Sequence, residues 1–498
     1  MRRTRLVVIL TVGLGLVGAP GSIFAGSFPA KNDGLPNWAP TFMQWPIGLD
    51  KEEAVDFARR YDVIAATKRT FRAHARAMQQ ANPNLKMLVY QNGAFAQKDQ
   101  ATAFPEEWYA RDAQGRKITE NEFGNYLMDV SHPEWIDHVE DECVRFLEFS
   151  GYEHGCLIDV LGDAPVTATY VSVLPINPRT GKEWTPRQWL KATSHIAGRV
   201  QDRIRPSLVV PNGIAWGADY WDDTAPSRWL LGGTSGGMVE LFIRPPRAPI
   251  NTYRPEEDWR KDVDMLADAG CSDSFLAVTK VWVDAARAQK DAWHKYALAS
   301  FLLGDNGRSY FTFLYERDVV SSHPWANVDV GPPAGGYAKR DGVYQRDFRD
   351  GRALVNPTSE SYVVELGGTY RDLNGIERSS VVLGPHSGEV LFSEGSSDQV
   401  VHETCVSLKL QGELVAKGRV TVADGFAGCL RDTEIRVQRR KRGRWVTVGK
   451  TSTGRRGAYR VKVADRRGKY RAVLPVERKQ SADGLMVCEK DLSPARLP

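Results

Sequence analysis

The chain has 498 residues, of which 42% are hydrophobic and 26% charged, with a formal net charge of +5 at pH 7. That length exceeds one ordinary core, and the composition is that of a soluble globular chain rather than a disordered or fibrous one. The charge is divided: residues 401–498 hold 23 Lys and Arg against 10 Asp and Glu, a net of +13 that leaves −8 for residues 1–400. One acidic and one basic part imply separate modules with separate surfaces; a basic face suits an anionic wall polymer, a membrane or nucleic acid, and equally a solubilising surface on a small β-domain, with no specific nucleic-acid binding expected.

Arg2, Arg3 and Arg5 precede an apolar run from Leu6 to Val17 and small residues around Ala25. This reads as a secretory signal over 1–25, and the mature chain is expected outside the cell or at its wall. Gly13, Gly15, Gly18 and Pro20 interrupt a run already short for a membrane anchor, and no later stretch is long and apolar enough to span.

Strands and helices then alternate. Thr41–Trp45 reads as a first strand, 51–61 as a helix, Asp62–Thr67 as a second strand, 69–81 as a helix and Leu85–Tyr90 as a third strand. An insertion from Ala94 to about Leu127, rich in aromatics, reads as an ordered loop. Ser131-His132-Pro133-Glu134 has capping-box spacing for a helix through Phe146, with Asp129 before it in a structural role. The apolar run Cys156-Leu157-Ile158 is a buried fourth strand ending in Asp159. Helices over 184–203, 256–269 and 291–303 alternate with strands at Leu208–Gly213, Gly237–Glu240, Phe275–Lys280 and Ser309–Tyr315. Eight strands with intervening helices over roughly 300 residues predict a (β/α)8 TIM barrel over 26–336. The tail is all β: a small β-sandwich over 337–396 packed on the barrel, then an immunoglobulin-like β domain over 397–498.

Six cysteines in an exported chain permit disulfides. Cys429 and Cys488 lie near the two ends of the last module, where one bridge would close most of it. Cys143, Cys156, Cys271 and Cys405 give no pairing pattern, and Cys156 reads as a small core residue. No Cys-x-x-Cys or His-Glu-x-x-His spacing exists, so neither a metal nor another cofactor is expected.

A carboxylate at the C-terminal end of a buried strand needs a partner or a function. Asp159 ends strand four and Glu240 ends strand six, and alternate strands of such a barrel contribute to one interior layer at the face where active sites lie. Glycoside hydrolysis uses such a pair, one carboxyl protonated and one ionised. The bland alternative for either residue is a salt bridge to Lys280 or Arg244. Sugar rings stack on aromatic faces, and Trp45, Tyr90, Trp108, Trp216, Trp282 and Tyr315 lie near strand ends or in the insertion. Gln44, Asn92 and Asn212, also at strand ends, have amides suited to sugar hydroxyls. The expected substrate-binding set is Gln44, Tyr90, Asn92, Trp108, Asn212, Trp216, Lys280 and Tyr315. Gly233-Thr234-Ser235-Gly236-Gly237 matches the serine-hydrolase elbow, yet that elbow is followed by a helix and this one by strand-like residues.

The segments Met87–Tyr90, Tyr126–Val130, Leu157–Asp159, Tyr344–Phe348 and Arg352–Thr358, in that order, make residues 40–392 resemble hypothetical glycosyl hydrolase family fifteen. The resemblance implies a TIM-barrel glycosidase, without naming a substrate. Residues 453–459 and 468–472 are similar to immunoglobulin-like modules of secreted bacterial proteins. The expectation is a secreted glycoside hydrolase with Asp159 as nucleophile or base and Glu240 as general acid/base, resembling retaining α-glycosidases. The rival is a non-catalytic carbohydrate-binding or adhesive surface protein on a degenerate barrel, whose two carboxylates would point apart.

Overall fold

The computed structural model describes residues 37–498 except 44–47, 168–169, 270–272, 318, 321–324, 326–327, 394–398, 403, 412–414, 423–426, 442–443, 464–467, 482–483, 489–490, 494 and 497–498. The segment 1–25 read as a signal, Gln44, Trp45 and Cys271 lie outside the described residues.

Eight parallel strands form one sheet in sequential order: β1 (Trp38–Pro40), β2 (Val63–Ala66), β3 (Lys86–Asn92), β4 (Gly155–Asp159), β5 (Leu208–Ile214), β6 (Gly236–Val239), β7 (Ser274–Lys280) and β8 (Tyr310–Leu314). A parallel bridge between Asn37 and Phe311 joins the first strand to the last, and the Trp38 indole donates to the Ala277 carbonyl at 2.9 Å. The sheet is therefore a closed barrel. Its first strand begins earlier than the sequence pattern suggested. Thr41–Met43, expected within it, instead forms a 3-10 turn in which the Thr41 hydroxyl bonds the Ala65 carbonyl.

Strand alternation sorts the side chains. Leu88, Leu157, Val210, Met238 and Val278 point into the barrel with Trp38, Val63 and Tyr310. Their neighbours Val89, Ile158, Val209, Val239 and Ala277 point outward beneath the helices. The helices are α1 (Lys51–Arg60), α2 (Ala75–Ala81), α3 (Pro133–Ser150), α4 (Pro186–Ile204), α5 (Glu256–Asp268) and α6 (Arg287–Gly304). Between β5 and β6 only short turns, Gly217–Trp221 and Ser227–Leu231, replace a full helix.

Two local readings change. Helix α2 starts at Ala75, because residues 67–74 form turns. Helix α3 is entered through His132 and Pro133 without a capping box. The Ser131 hydroxyl is spent on Asp129 at 2.8 Å. Asp129 accepts from both the backbone N–H and the hydroxyl of Ser131, at 3.0 and 2.8 Å, and so braces the entry to α3. Cys156 is bonded to Cys143, so it is more than a small core residue: the bridge ties β4 to α3.

The tail begins with a six-stranded antiparallel sheet, in spatial order 338–340, 343–348, 351–356, 387–393, 362–372 and 377–383. Tyr344, Ala353, Val355 and Val390 join the barrel's core, while Val343, Leu354, Val364, Leu366 and Leu391 enclose a smaller one. This packing explains α6, whose residues from Tyr296 to Gly304 are all buried: the barrel covers one side and the sheet the other. The buried Arg346 guanidinium donates to the carbonyls of Leu302 (3.0 Å), Leu303 (3.3 Å) and Asp305 (2.7 Å), satisfying acceptors that the end of α6 leaves open. Residues 404–492 form two antiparallel four-stranded sheets around Val406, Val420, Ile435, Val437, Tyr470 and Ala472, with a smaller three-stranded sheet beside them. Cys429 and Cys488 are bonded.

Arg346→Met keeps the aliphatic stem and removes four charge-assisted bonds, those to α6 and its end and a fourth from Nε to the Gly335 carbonyl at 2.8 Å. It is expected to cost about 2–4 kcal/mol, because four carbonyls lose their donor. Thermal unfolding would register this as a lower midpoint, and an unchanged midpoint would show that water replaces the guanidinium.

Candidate active site

The interior positions of five adjacent strands, extended one step past Leu88, Leu157, Val210, Met238 and Val278, are Tyr90, Asp159, Asn212, Glu240 and Lys280. Period-two alternation thus brings five polar side chains to one rim of the barrel. Tyr90 donates its hydroxyl to Asp159 Oδ2 at 2.8 Å. The Asn212 amide nitrogen donates both to Asp159 Oδ1 at 2.7 Å and to Glu240 Oε2 at 3.0 Å. Lys280 Nζ meets Glu240 Oε1 at 2.6 Å and is itself 1% exposed. The salt bridge held as the bland alternative for Glu240 therefore exists, but inside the same cluster. Arg244 goes elsewhere, to the carbonyls of Pro249 and Thr252.

Two backbone features aim the pair. Val160, directly after Asp159, has φ 58°, an unfavourable value for a β-branched residue, and its N–H bonds Asp159 Oδ1 at 3.0 Å. Leu161 then bonds back to the Asn212 carbonyl at 2.8 Å, and Gly162 lies so close to Gly213 that a Cβ on either would strike the other's backbone. Beyond Glu240, Ile243 has φ 65°. The buried Asp262 of α5 holds that turn, accepting from Ile243 N at 3.2 Å, Gly217 N at 2.6 Å and Arg254 at 2.5 Å.

The two carboxyls are pushed in opposite directions. Burial, then the neighbouring charge of Glu240, pushes Asp159 up to about 6, against the pull of Tyr90, Asn212 and Val160. Burial also acts to raise Glu240, but Lys280 and Asn212 outweigh it and hold the group below its usual value. Tyr90 is raised well above 10 by burial and by Asp159, so it remains a donor.

The remaining expected residues divide. Asn92 accepts from Ala94 and Phe95 N–H groups at 3.0 and 2.7 Å, bracing the turn after β3, and also bonds Tyr90. Trp216 stacks under Arg254 at 4.2 Å and bonds Asp219, so it braces the loop after β5. Trp108 bonds Glu134 at 2.9 Å and packs with Phe104, Trp135 and His138 over α3. Tyr315 is buried, its hydroxyl between Asp291 and His294. Neither of the last two joins the carboxylates. Gln44 lies outside the described residues. Ser235 of the elbow-like motif is 2% exposed, with its hydroxyl on Gln201, and β6 follows it. It cannot serve as an exposed nucleophile.

Sequence reasoning missed Tyr170 and Glu122. Tyr170, in the loop after β4, keeps 39% of its surface exposed, and its hydroxyl is raised by partial burial and then by the charges of Glu240 and Asp159. The insertion reaches it: Asn121 N bonds the Tyr170 carbonyl at 2.8 Å, and Glu120 bridges Val171. Glu122 continues across the mouth to Arg247 at 2.6 Å and Arg317 at 2.8 Å, from the loops after β6 and β8. Only the acidic residues within an ordered insertion hinted at this. Among the described residues no cluster of His, Cys, Asp and Glu could hold a metal ion.

A carboxyl whose folded pKa lies above its unfolded value costs stability as pH rises through that interval. Asp159→Asn, which mimics the protonated form, is expected to be more stable than the wild type at pH 7 by on the order of 1–3 kcal/mol. The advantage should shrink as pH falls from about 6 and vanish below about pH 3, where Asp159 is protonated in both folded and unfolded chains. Equal melting curves at both pH values would contradict this electrostatic account.

Residues 79–352, more than half of the chain, match hypothetical glycosyl hydrolase family 15. No curated protein matches the sequence. Solved structures similar to this chain include a noncanonic maltogenic alpha-amylase, AmyB, from Thermotoga neapolitana (TM-score 0.44, 11% identity, 72% of this chain and 98% of that one). They also include an alpha-amylase from Malbranchea cinnamomea (TM-score 0.41, 10% identity, 74% and 96%) and a GH31 alpha-xylosidase from a soil metagenome (TM-score 0.41, 11% identity, 75% and 65%). On the strength of the family match, the chain belongs to hypothetical glycosyl hydrolase family 15 and is a glycoside hydrolase.

Proposed function

We propose that this is a secreted hydrolase that cleaves a poly- or oligosaccharide through Asp159 and Glu240 with retention of configuration. The observation that carries the reading is the shared Asn212 nitrogen. Two oxygens held at 2.7 and 3.0 Å from one atom are no further apart than about 5.7 Å, which suits the ~5–5.5 Å separation of double displacement better than the ~6.5–9.5 Å of inversion. In this reading Asp159 attacks the anomeric carbon while Glu240 protonates the departing oxygen. Glu240 then takes a proton from water, which attacks the glycosyl ester and regenerates Asp159. The three donors on Asp159, Tyr90, Asn212 and Val160 N–H, support the nucleophile's role, since they orient it and stabilise its anion. Export and contact of the basic C-terminal module with an anionic wall polymer or surface belong to the same reading. Its support is the amino-terminal sequence pattern and the charge asymmetry.

A second assignment of roles rests on the resting charges. With Asp159 pushed up to about 6 and Glu240 held down by Lys280, Asp159 is the better proton donor and Glu240 the better anion.

Hydrolysis of a polysaccharide and aryl-glycoside panel tests both. Asp159→Asn and Glu240→Gln are each expected to lower kcat/KM by ~10³-fold or more. With azide as external nucleophile, an Asp159→Ala variant should give the inverted glycosyl azide if Asp159 is the nucleophile, and Glu240→Ala the retained one. Exchanged products would establish the second assignment. With Asp159 as the anion, wild-type kcat/KM rises with pH through about 6; with Asp159 as the acid it falls there. A substrate cleaved equally well by all variants would end the pair's candidacy. Sugar binding by the wild type without cleavage of any substrate would favour the adhesive alternative.

A further inference from the structure

The tip of the insertion after β3 is a turn over residues 120–125 whose backbone is pinned from several sides. The buried Glu120 carboxylate accepts from the N–H groups of Glu122 and Phe123 at 2.6 Å and of Asn125 at 3.4 Å. Gly124 has φ 75°, the left-handed conformation that the reversal needs and glycine adopts without strain. Asn121 ties the turn to the loop after β4: its N–H bonds the Tyr170 carbonyl, and its side chain accepts from the Ser172 hydroxyl at 2.6 Å. Glu122 ties it to the loops after β6 and β8 through Arg247 and Arg317. Three loops of the barrel mouth thus converge on one short turn.

The side chain of Phe123, in the middle of this turn, takes no part in holding it. It is 61% exposed, more than any other aromatic among the described residues, and no described ring or cation packs on it. Tyr170, 39% exposed, and Val173, 42% exposed, lie on the segment bonded to the turn. A single apolar side chain in water is ordinary, and a contiguous apolar group at the rim of a site is not. The backbone beneath this group is fixed by charged hydrogen bonds. A ring held in place and left bare is preorganised for a ligand, because little further ordering is needed when one binds.

The chemistry of the rim selects the occupant. Glu120 is spent on backbone N–H groups and Glu122 on two arginines, so what the turn offers is the face of a ring. After burial, the Tyr170 hydroxyl feels the charges of Glu240, Asp159, Glu122 and Glu120, which links this group to the carboxylate pair and disfavours an anionic ligand beside it. A stable protein partner needs ~800 Å² on each side, whereas two aromatic side chains supply roughly 300–500 Å². That area suits one or two sugar rings. We propose that Phe123, with Tyr170 beside it, forms an outer subsite for an uncharged sugar ring of the substrate chain, beyond the two rings joined by the bond that is cleaved. The enzyme would then favour uncharged chains longer than a disaccharide. The proposal rests on the placement of the reaction at Asp159 and Glu240.

Affinity electrophoresis of the full chain tests this, in gels containing soluble starch, mixed-linkage β-glucan, arabinoxylan or galactomannan, with polygalacturonate in parallel. Every protein carries Asp159→Asn, so that the matrix is not consumed. This parent should be retarded by at least one of the uncharged polymers. On that polymer, added Phe123→Ala should weaken retention by about fivefold or more, and Phe123→Trp should match or exceed the parent, since it keeps a stacking face. Val382→Ala, which trims a 71% exposed apolar side chain from the sheet of residues 338–393, should bind like the parent. No retardation by any uncharged polymer, unchanged retention with Phe123→Ala, failure of Phe123→Trp to restore it, an equal loss with Val382→Ala, or retention by polygalacturonate alone would each overturn the subsite. A melting temperature lowered by Phe123→Ala would overturn it too, because the ring would then be packed on the fold. So would a dimer in sedimentation velocity that Phe123→Ala dissolves, since the ring would then serve a second copy of the chain. Retention needs no cleavage. Phe123-dependent retention beside a wild type that hydrolyses nothing would sink the catalytic reading and keep the subsite, and hydrolysis lost with Asp159 beside retention indifferent to Phe123 would do the reverse.

Discussion

Two half-buried carboxylates side by side repel each other, and the centre of this barrel is organised around making that juxtaposition tolerable. Lys280 neutralises one member, and the Asn212 amide offers its hydrogens to both. The result is asymmetric: Asp159 rises to about 6 while Glu240 stays low. The asymmetry separates the acidities of two neighbouring carboxyls, which an acid and an anion working side by side would require. It depends on four consecutive strands, β4 to β7, each delivering one side chain at the same height. A closed parallel barrel meets that requirement through its alternation alone.

Much of this was legible because it is local. Apolar runs ending in Asp159, Glu240 and Lys280 mark both a strand and the rim where its polar residue emerges, and period-two spacing fixes which face the last residue takes. The same logic failed at β1, where Trp38–Pro40 is only three residues long and carries no alternation to read. It failed again at Tyr315 and Trp108, because an aromatic at a strand end looks the same whether it faces a cleft or a helix. Tyr315 turned outward to His294, and Trp108 packed over α3. The contacts of Glu122 with Arg247 and Arg317 join residues more than a hundred positions apart, and nothing in their local sequence announces them. The Cys143–Cys156 bridge was equally hidden, since thirteen residues of separation are compatible with many geometries.

The tail repeats this lesson at a larger scale. Its strands and turns were readable one by one, but the role of Arg346 was not, because an arginine in an alternating strand is usually solvated. Here it reaches back to close the end of α6, which makes the sheet a fixed part of the barrel's wall.

The contact between Gly162 and Gly213 reaches beyond packing. Each glycine occupies a space that the other's backbone would deny to a side chain, and each flanks a residue of the polar cluster: Gly213 follows Asn212, and Gly162 closes the turn begun by Asp159. Neither atom set takes part in proton transfer or attack, yet a single methyl group at either position would part the two loops and misalign the acid pair. A chain with both carboxylates but an alanine at either glycine would keep every polar group of the cluster and lose its alignment.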